Sequence, residues 1–311
     1  MVVTMTFRGG ALVAAAVIAN FPVDARADGM PGTVVDVGLS FSAVDRGGDA
    51  LNSTGLPDEF DSYEAARIDG RLALPISSNA RLQFGLRHEE NNVSQTLGTQ
   101  ITNDSPVNGS FADVQLGIAE ERKYFGAFYG VGQVSFNNAD SDQNADFSVA
   151  GLSGAVHLEN WSFGAQVGRL TSSASNLETL DDAHFLSLVG QYYFKNDRSS
   201  FGVRLSGADG MSDNDDAGPD PADLFEITLF GEHVLDRDFL GGSASVVGGV
   251  SYFESSEKSS TTGLTESVTA SSVFLGIRIK FNAKSPKETA RRTAFSLPDF
   301  ETWLGHVPAL D

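Results

Sequence analysis

Five histidines, His88, His157, His184, His233 and His306, are the side chains best suited to proton transfer near neutral pH. A histidine two residues from a serine, with an asparagine nearby, would activate the hydroxyl for attack on an ester. His157-Leu158-Glu159-Asn160 has no serine, and in His184-Phe185-Leu186-Ser187 the spacing is wrong. No pair of histidines has zinc-ligand spacing, and there is no nucleophile elbow or phosphate loop. With Cys 0, thiolate metal sites, disulfides, a cysteine nucleophile and a lipidated cysteine are all excluded. No cofactor, no metal and no enzymatic reaction are expected.

The remaining chemistry is charge. Lys+Arg 21 against Asp+Glu 41 gives a formal net charge of -20, which argues against nucleic acid as a partner. The few cations are not scattered evenly. Arg67, Arg71, Arg81, Arg87, Arg278 and Lys280 fall in segments that also carry Asp36, Asp69 and Glu89. Asp113, Gln115, Gln166, Glu226 and Glu232 lie in segments well separated from these. Opposed basic and acidic walls would set up a transverse field that orients polar solutes in a pore. In a filled interior the same groups would pair to avoid burying lone charge.

Whatever positions these groups is built of strands. Apolar residues recur with period two: Val35, Val37, Leu39, Phe41 and Ala43 share one face, opposite Asp36, Gly38, Ser40 and Ser42. Val273, Leu275, Ile277, Ile279 and Phe281 repeat the plan, with Phe274 as an exception. Three segments, near 124–136, 146–158 and 183–194, alternate less cleanly and leave their faces unassigned. Twelve strands are expected, each about long enough to cross a bilayer at a tilt.

The connections between them alternate long and short, with long gaps near 45–60, 91–110, 137–145, 171–182, 209–221 and 254–266. The short ones carry turn residues such as Pro75-Ile76-Ser77-Ser78-Asn79 and Lys195-Asn196-Asp197. Two long gaps are acidic, Asp209–Asp223 and Asn137–Asp146, without calcium-loop spacing, and read as solvated. At the N-terminus, Arg8, the apolar run Ala11–Ala19 and Ala25-Arg26-Ala27 have the pattern of a cleavable export signal over 1–27.

The export signal, the amphipathic strands and the closing run Phe274-Leu275-Gly276-Ile277-Arg278-Ile279-Lys280-Phe281 together resemble a Gram-negative outer-membrane β-barrel of porin type. The resemblance implies a closed antiparallel transmembrane barrel over 28–281, all-β, with ten or fourteen strands as fallbacks to twelve. It also implies the outer membrane as location, outer-membrane lipid and lipopolysaccharide as surroundings, and Phe281 as a signal to the barrel-insertion machinery. Aromatics near strand ends, Phe41, Phe136, Trp161, Tyr192, Tyr193, Tyr252, Phe253 and Phe281, suit interfacial girdles. Arg67, Arg71, Arg81, Arg87, Arg278 and Lys280 are then a basic pore wall, and Asp36, Asp69, Asp113, Gln115, Glu226 and Glu232 an acidic or polar one. The expected function is passive diffusion of small hydrophilic solutes with a mild cation preference from the acidic mouth. A lipid-modifying enzyme and a non-conducting structural or adhesin barrel are the alternatives.

The chain runs past Phe281 to Asp311. This 282–311 tail is expected in the periplasm, where a short helix near 298–304, started by Ser296-Leu297-Pro298-Asp299, docks its Phe, Leu and Trp at the periplasmic mouth or on a partner.

Overall fold

A computed structural model of the chain describes residues 32–48, 62–92, 106–120, 122–138, 141–173, 180–212, 219–259 and 263–304. The expected export signal lies outside the described residues, as do 213–218 of the expected 209–223 loop, whose flanks 209–212 and 220–223 are paired strand.

The strands are β1 (Val34–Gly47), β2 (Ser62–Pro75), β3 (Ala80–Asn92), β4 (Pro106–Ala119), β5 (Lys123–Asn138) and β6 (Ser141–His157). They continue with β7 (Trp161–Ser173), β8 (Leu180–Tyr193), β9 (Ser199–Ser212), β10 (Asp220–Phe239), β11 (Gly242–Lys258) and β12 (Thr265–Phe281). Each pairs antiparallel with its neighbour in sequence, and β12 returns to β1 in the register Val35↔Phe281 to Gly47↔Thr269. Closure leaves no open sheet edge, the condition for a sheet to stand in hydrocarbon. Two short helices follow, α1 (Pro286–Arg292) and α2 (Phe300–Leu304).

The turns at the end where β1 begins are tight, as expected. At the other end one expected long gap is absent. β5 and β6 pair as far as Asn137↔Asp142 and Asn138↔Ser141, so 137–138 and 141–145 are strand.

The three segments without clean alternation are apolar on both faces. Phe125, Tyr129, Val131, Leu152, Leu186 and Leu188 point out, Phe125 with 61% of its surface exposed, while Phe128, Phe147, Val149, Phe185 and Val189 point in and are buried. Two hydrophobic environments, one on each side of the sheet, erase a period-two signal. Tyr193 and Phe253 also point in and are buried, so they do not belong to a girdle. The side chain of Phe136 is outside the described residues.

Candidate functional site: a lumen filled by the C-terminal segment

The lumen divides along its axis. Toward the end where β1 begins, Asp36 is fully buried between Arg71 (2.8 Å) and Arg278 (3.0 Å), and Arg278 reaches on to Asp69 at 2.7 Å. Lys280 pairs with Glu232, and Ser245 Oγ donates to the same Glu232 at 2.6 Å. The charges are therefore interleaved. Glu232 belongs to the cluster around Lys280, so two opposed walls are not what the side chains form. Interleaving of Asp36 and Asp69 with the cations follows from closure of β12 on β1; Glu232 joins them because β10, β11 and β12 are neighbours, so it reaches Lys280 past Ser245.

Toward the other end an apolar cluster joins the charged groups in the lumen. Val44, Phe111, Phe128, Phe147, Phe185, Leu224 and Phe253 line it, and Leu297, Phe300, Trp303 and Leu304 fill it. The last four belong to the segment after β12.

That segment enters from the end of the tight turns. Ser285 caps α1, accepting from Glu288 N at 3.1 Å, and Pro286 sits in the first turn, where its missing N–H costs nothing. α1 is tied to the turns through Lys287–Asp197 (3.3 Å) and a bond from Arg291 to the Leu158 carbonyl (2.9 Å). Arg81 donates to the Arg291 carbonyl at 2.9 Å.

The chain then extends inward, and its backbone is read by wall side chains. Gln83 accepts from Ala294 N at 2.9 Å, Gln166 donates to the Phe295 carbonyl at 3.1 Å, and Gln115 donates to the same oxygen at 3.4 Å. Arg204 donates to the Ser296 carbonyl (2.8 Å) and the Leu297 carbonyl (3.3 Å). These partners come from β3, β4, β7 and β9, so only a position inside the barrel reaches them all. Gly164 allows the approach: a Cβ there would stand 2.3 Å from the Phe295 ring.

At the head of the segment Arg87 holds Glu301, with Nε 2.8 Å from Oε1, and donates to the Pro298 carbonyl at 2.9 Å. Its guanidinium also lies 5.1 Å from the centre of the Phe111 ring, within cation–π range. Arg67 pairs with Asp299 and with Glu89, the latter at 2.8 Å. Burial alone would push the Asp299 carboxyl up, but Arg67 and Arg87 outweigh it and hold the group well below the usual carboxylate range. Trp303 Nε1 donates to Glu226 at 2.9 Å, and the ring packs edge-on against Phe300 (5.0 Å) and Phe185 (5.9 Å).

The helix near 298–304 is thus present as α2, and Asp299 caps it weakly through Thr302 N at 3.4 Å. It lies inside the lumen, deeper than the periplasmic mouth anticipated for it. Phe300 and Trp303 have no exposed surface. Sequence reasoning missed the receiving pocket because Phe111, Phe128, Phe147 and Phe185 sit in strands whose opposite faces are also apolar.

Of the expected wall residues, Arg67, Arg71, Arg87, Asp69, Asp113, Glu226, Glu232, Arg278 and Lys280 border one elongated cavity of about 350 Å³ between the segment and the wall. Asp36, Arg81 and Gln115 also point inward but are covered by neighbours or by the segment. The cavity follows β1 from Gly38 to Val44 and β12 from Lys280 back to Ala270. At about 3.4 Å per residue, its course along β12 is on the order of 30 Å.

The exterior decides the class. Leu39, Phe41, Leu116, Phe125, Phe163, Val273, Leu275 and Ile277 form an exposed apolar surface, Leu275 at 64%, on a closed sheet. Trp161, Tyr192 and Phe194 cluster at its lower margin, with ring centroids 4.9 and 5.3 Å apart, as interfacial aromatics do. This is an outer-membrane β-barrel. Among the described residues no helix is long and apolar enough to cross a membrane.

No family model matches the chain, and no curated protein does. Among solved structures it is similar to an outer-membrane channel from Pseudomonas putida F1, at 13% identity over 81% of this chain and 96% of that one, with a TM-score of 0.49. A FadL homologue from Pseudomonas aeruginosa aligns at 12% identity over 82% and 93%, TM-score 0.42. Vibrio cholerae OmpT aligns at 11% over 80% and 98%, TM-score 0.41. Likeness at this level concerns the fold alone.

Proposed function

We propose that the protein is a passive channel of the Gram-negative outer membrane for small, mainly polar solutes, constricted by its own C-terminal segment. The observation that carries this reading is the cavity beside that segment. Ser40, Ser42, Thr228, Ser251 and Ser272 supply hydroxyls along it, and the cluster of Asp69, Arg71 and Arg278 stands in its lower half. Phe230, Val247, Phe253 and Phe274 also line it, so a solute with one apolar face suits it better than a fully hydrophilic one. Exposed acidic residues near the outer strand ends, among them Asp146, Asp209 and Asp223, support a mild cation preference at the mouth. Phe281 is proposed as the insertion signal, as in the resemblance.

Single-channel recording in planar bilayers tests the reading. Small steps with cation-biased reversal potentials are expected; a silent bilayer containing folded protein would overturn it.

One observation favours a second reading, lipid modification. On the lipid-facing side, His88 Nδ1 lies 2.8 Å from Ser110 Oγ, beside a groove lined by Leu86, Ala112 and Val131. No carboxylate orients the imidazole among the described residues. Phospholipid hydrolysis lost in Ser110→Ala would decide for it.

A further inference from the structure

The head of the C-terminal segment is a compact chemical pattern: carboxylates on two guanidinium groups, with aromatic rings a few ångströms away in a closed apolar pocket. Asp299 meets Arg67 and Glu301 meets Arg87, while Phe300 packs tilted against Phe111 and edge-on to Phe185 at centroid distances of 5.6 and 5.0 Å. Arg204 adds a third guanidinium, spent on backbone carbonyls. If the segment leaves, Arg67 keeps Glu89, but Arg87 loses its carboxylate partner and the apolar pocket loses Phe300 and Trp303. An anion with an apolar body would restore both losses at once; a neutral or cationic molecule would restore only one.

We propose that the segment occupies a binding site for amphipathic carboxylates, acids with an aryl or comparable apolar body, and that such an acid displaces it. The site opens onto the cavity assigned above to solute passage, so the proposal rests on the channel reading and gives it a preferred solute class. Arg87 and Arg67 take the carboxylate. Phe111, Phe128, Phe147 and Phe185 take the body. The segment is a tethered competitor whose effective concentration is of millimolar order, so the acid binds the intact chain weakly and tightens when the tether's own contacts are weakened.

The sequence supplies a reporter. Its two tryptophans are Trp161, outside the barrel, and Trp303, in the pocket, so Trp161→Phe leaves Trp303 as the single emitter. The full chain with this change, folded in detergent micelles, is titrated with 4-phenylbutyrate, 4-phenyl-1-butanol and 4-phenylbutylamine, and acrylamide quenching of Trp303 is followed. The acid is expected to raise quenching saturably, at concentrations at least tenfold below those needed for the alcohol or the amine. Adding Asp299→Asn with Glu301→Gln is expected to lower the midpoint for the acid at least threefold, and Arg87→Gln on top of these to raise it at least tenfold. Three results overturn the site: no saturable change with the acid, equal potency of acid and alcohol, or indifference to Arg87→Gln. The comparison of three probes on the otherwise unaltered chain stands even if the variants fail to fold. Failure here in a protein that conducts removes the site and leaves the channel; acid-specific displacement in a protein that does not conduct keeps the site and removes the channel.

Discussion

The two halves of the lumen hold the same segment by different means. In the lower half, wall charges satisfy one another, with Asp36, Arg71, Arg278 and Asp69 forming a continuous set and α1 attached at the rim. In the upper half, Arg67 and Arg87 find carboxylates on the segment itself, and aromatic rings close over it. The lower network survives without the segment; the upper site does not. Occupancy of the lumen is therefore decided at the head of the segment.

Removing residues 283–311 is the strongest way to break this contrast. Single-channel conductance should rise several-fold while heat-modifiable migration of the barrel persists. An unchanged conductance would mean that the segment does not obstruct the passage.

Phe300→Ala with Trp303→Ala should act next most strongly. Burial of each ring is complete, and truncating a packed aromatic costs about 3–5 kcal/mol. The expected result is a segment open to limited proteolysis in a barrel that still resists it; continued protection would remove the packing argument.

Arg87→Gln leaves Glu301 without its partner. Breaking a buried pair costs on the order of 3–5 kcal/mol, less where water reaches it. Faster hydrogen exchange at 299–304 is predicted, with exchange in α1 unaltered.

Arg71→Gln should have the smallest effect. Asp36 keeps Arg278 at 3.0 Å, so the segment stays in place and only the passage gains negative charge. The reversal potential in a salt gradient should move toward cations. A released segment in this variant would show that the halves are coupled.

The contrast also explains what the sequence could reveal. The twelve strands were legible because Val35 to Ala43 and Val273 to Phe281 alternate cleanly where lipid lies on one side and polar lumen on the other. Around 124–136, 146–158 and 183–194 the pattern faded because the interior there is itself apolar. The clustered Phe295, Leu297, Phe300 and Trp303 signalled that the tail buries something, yet a linear chain does not say against what. Its receptor is assembled from β2 through β10, which only the folded register brings together. The inward direction of Arg67, Arg71, Arg87, Arg278 and Lys280 followed from strand parity. The nearness of Asp36, Asp69 and Glu89 followed too, once the barrel closes; Asp299, Glu301 and Glu232 did not, because the inward tail and the neighbouring β10 supply them.

That pairing has a consequence for the order of assembly. β1 and β12 meet across nearly the whole chain, a contact of the longest sequence separation and so among the slowest to form. The segment after β12 is held by side chains of β2 to β10, so its seat does not exist until those strands are in register. Docking of Trp303 against Phe185 of β8 and Glu226 of β10 therefore reports that distant strands of the wall already stand in register.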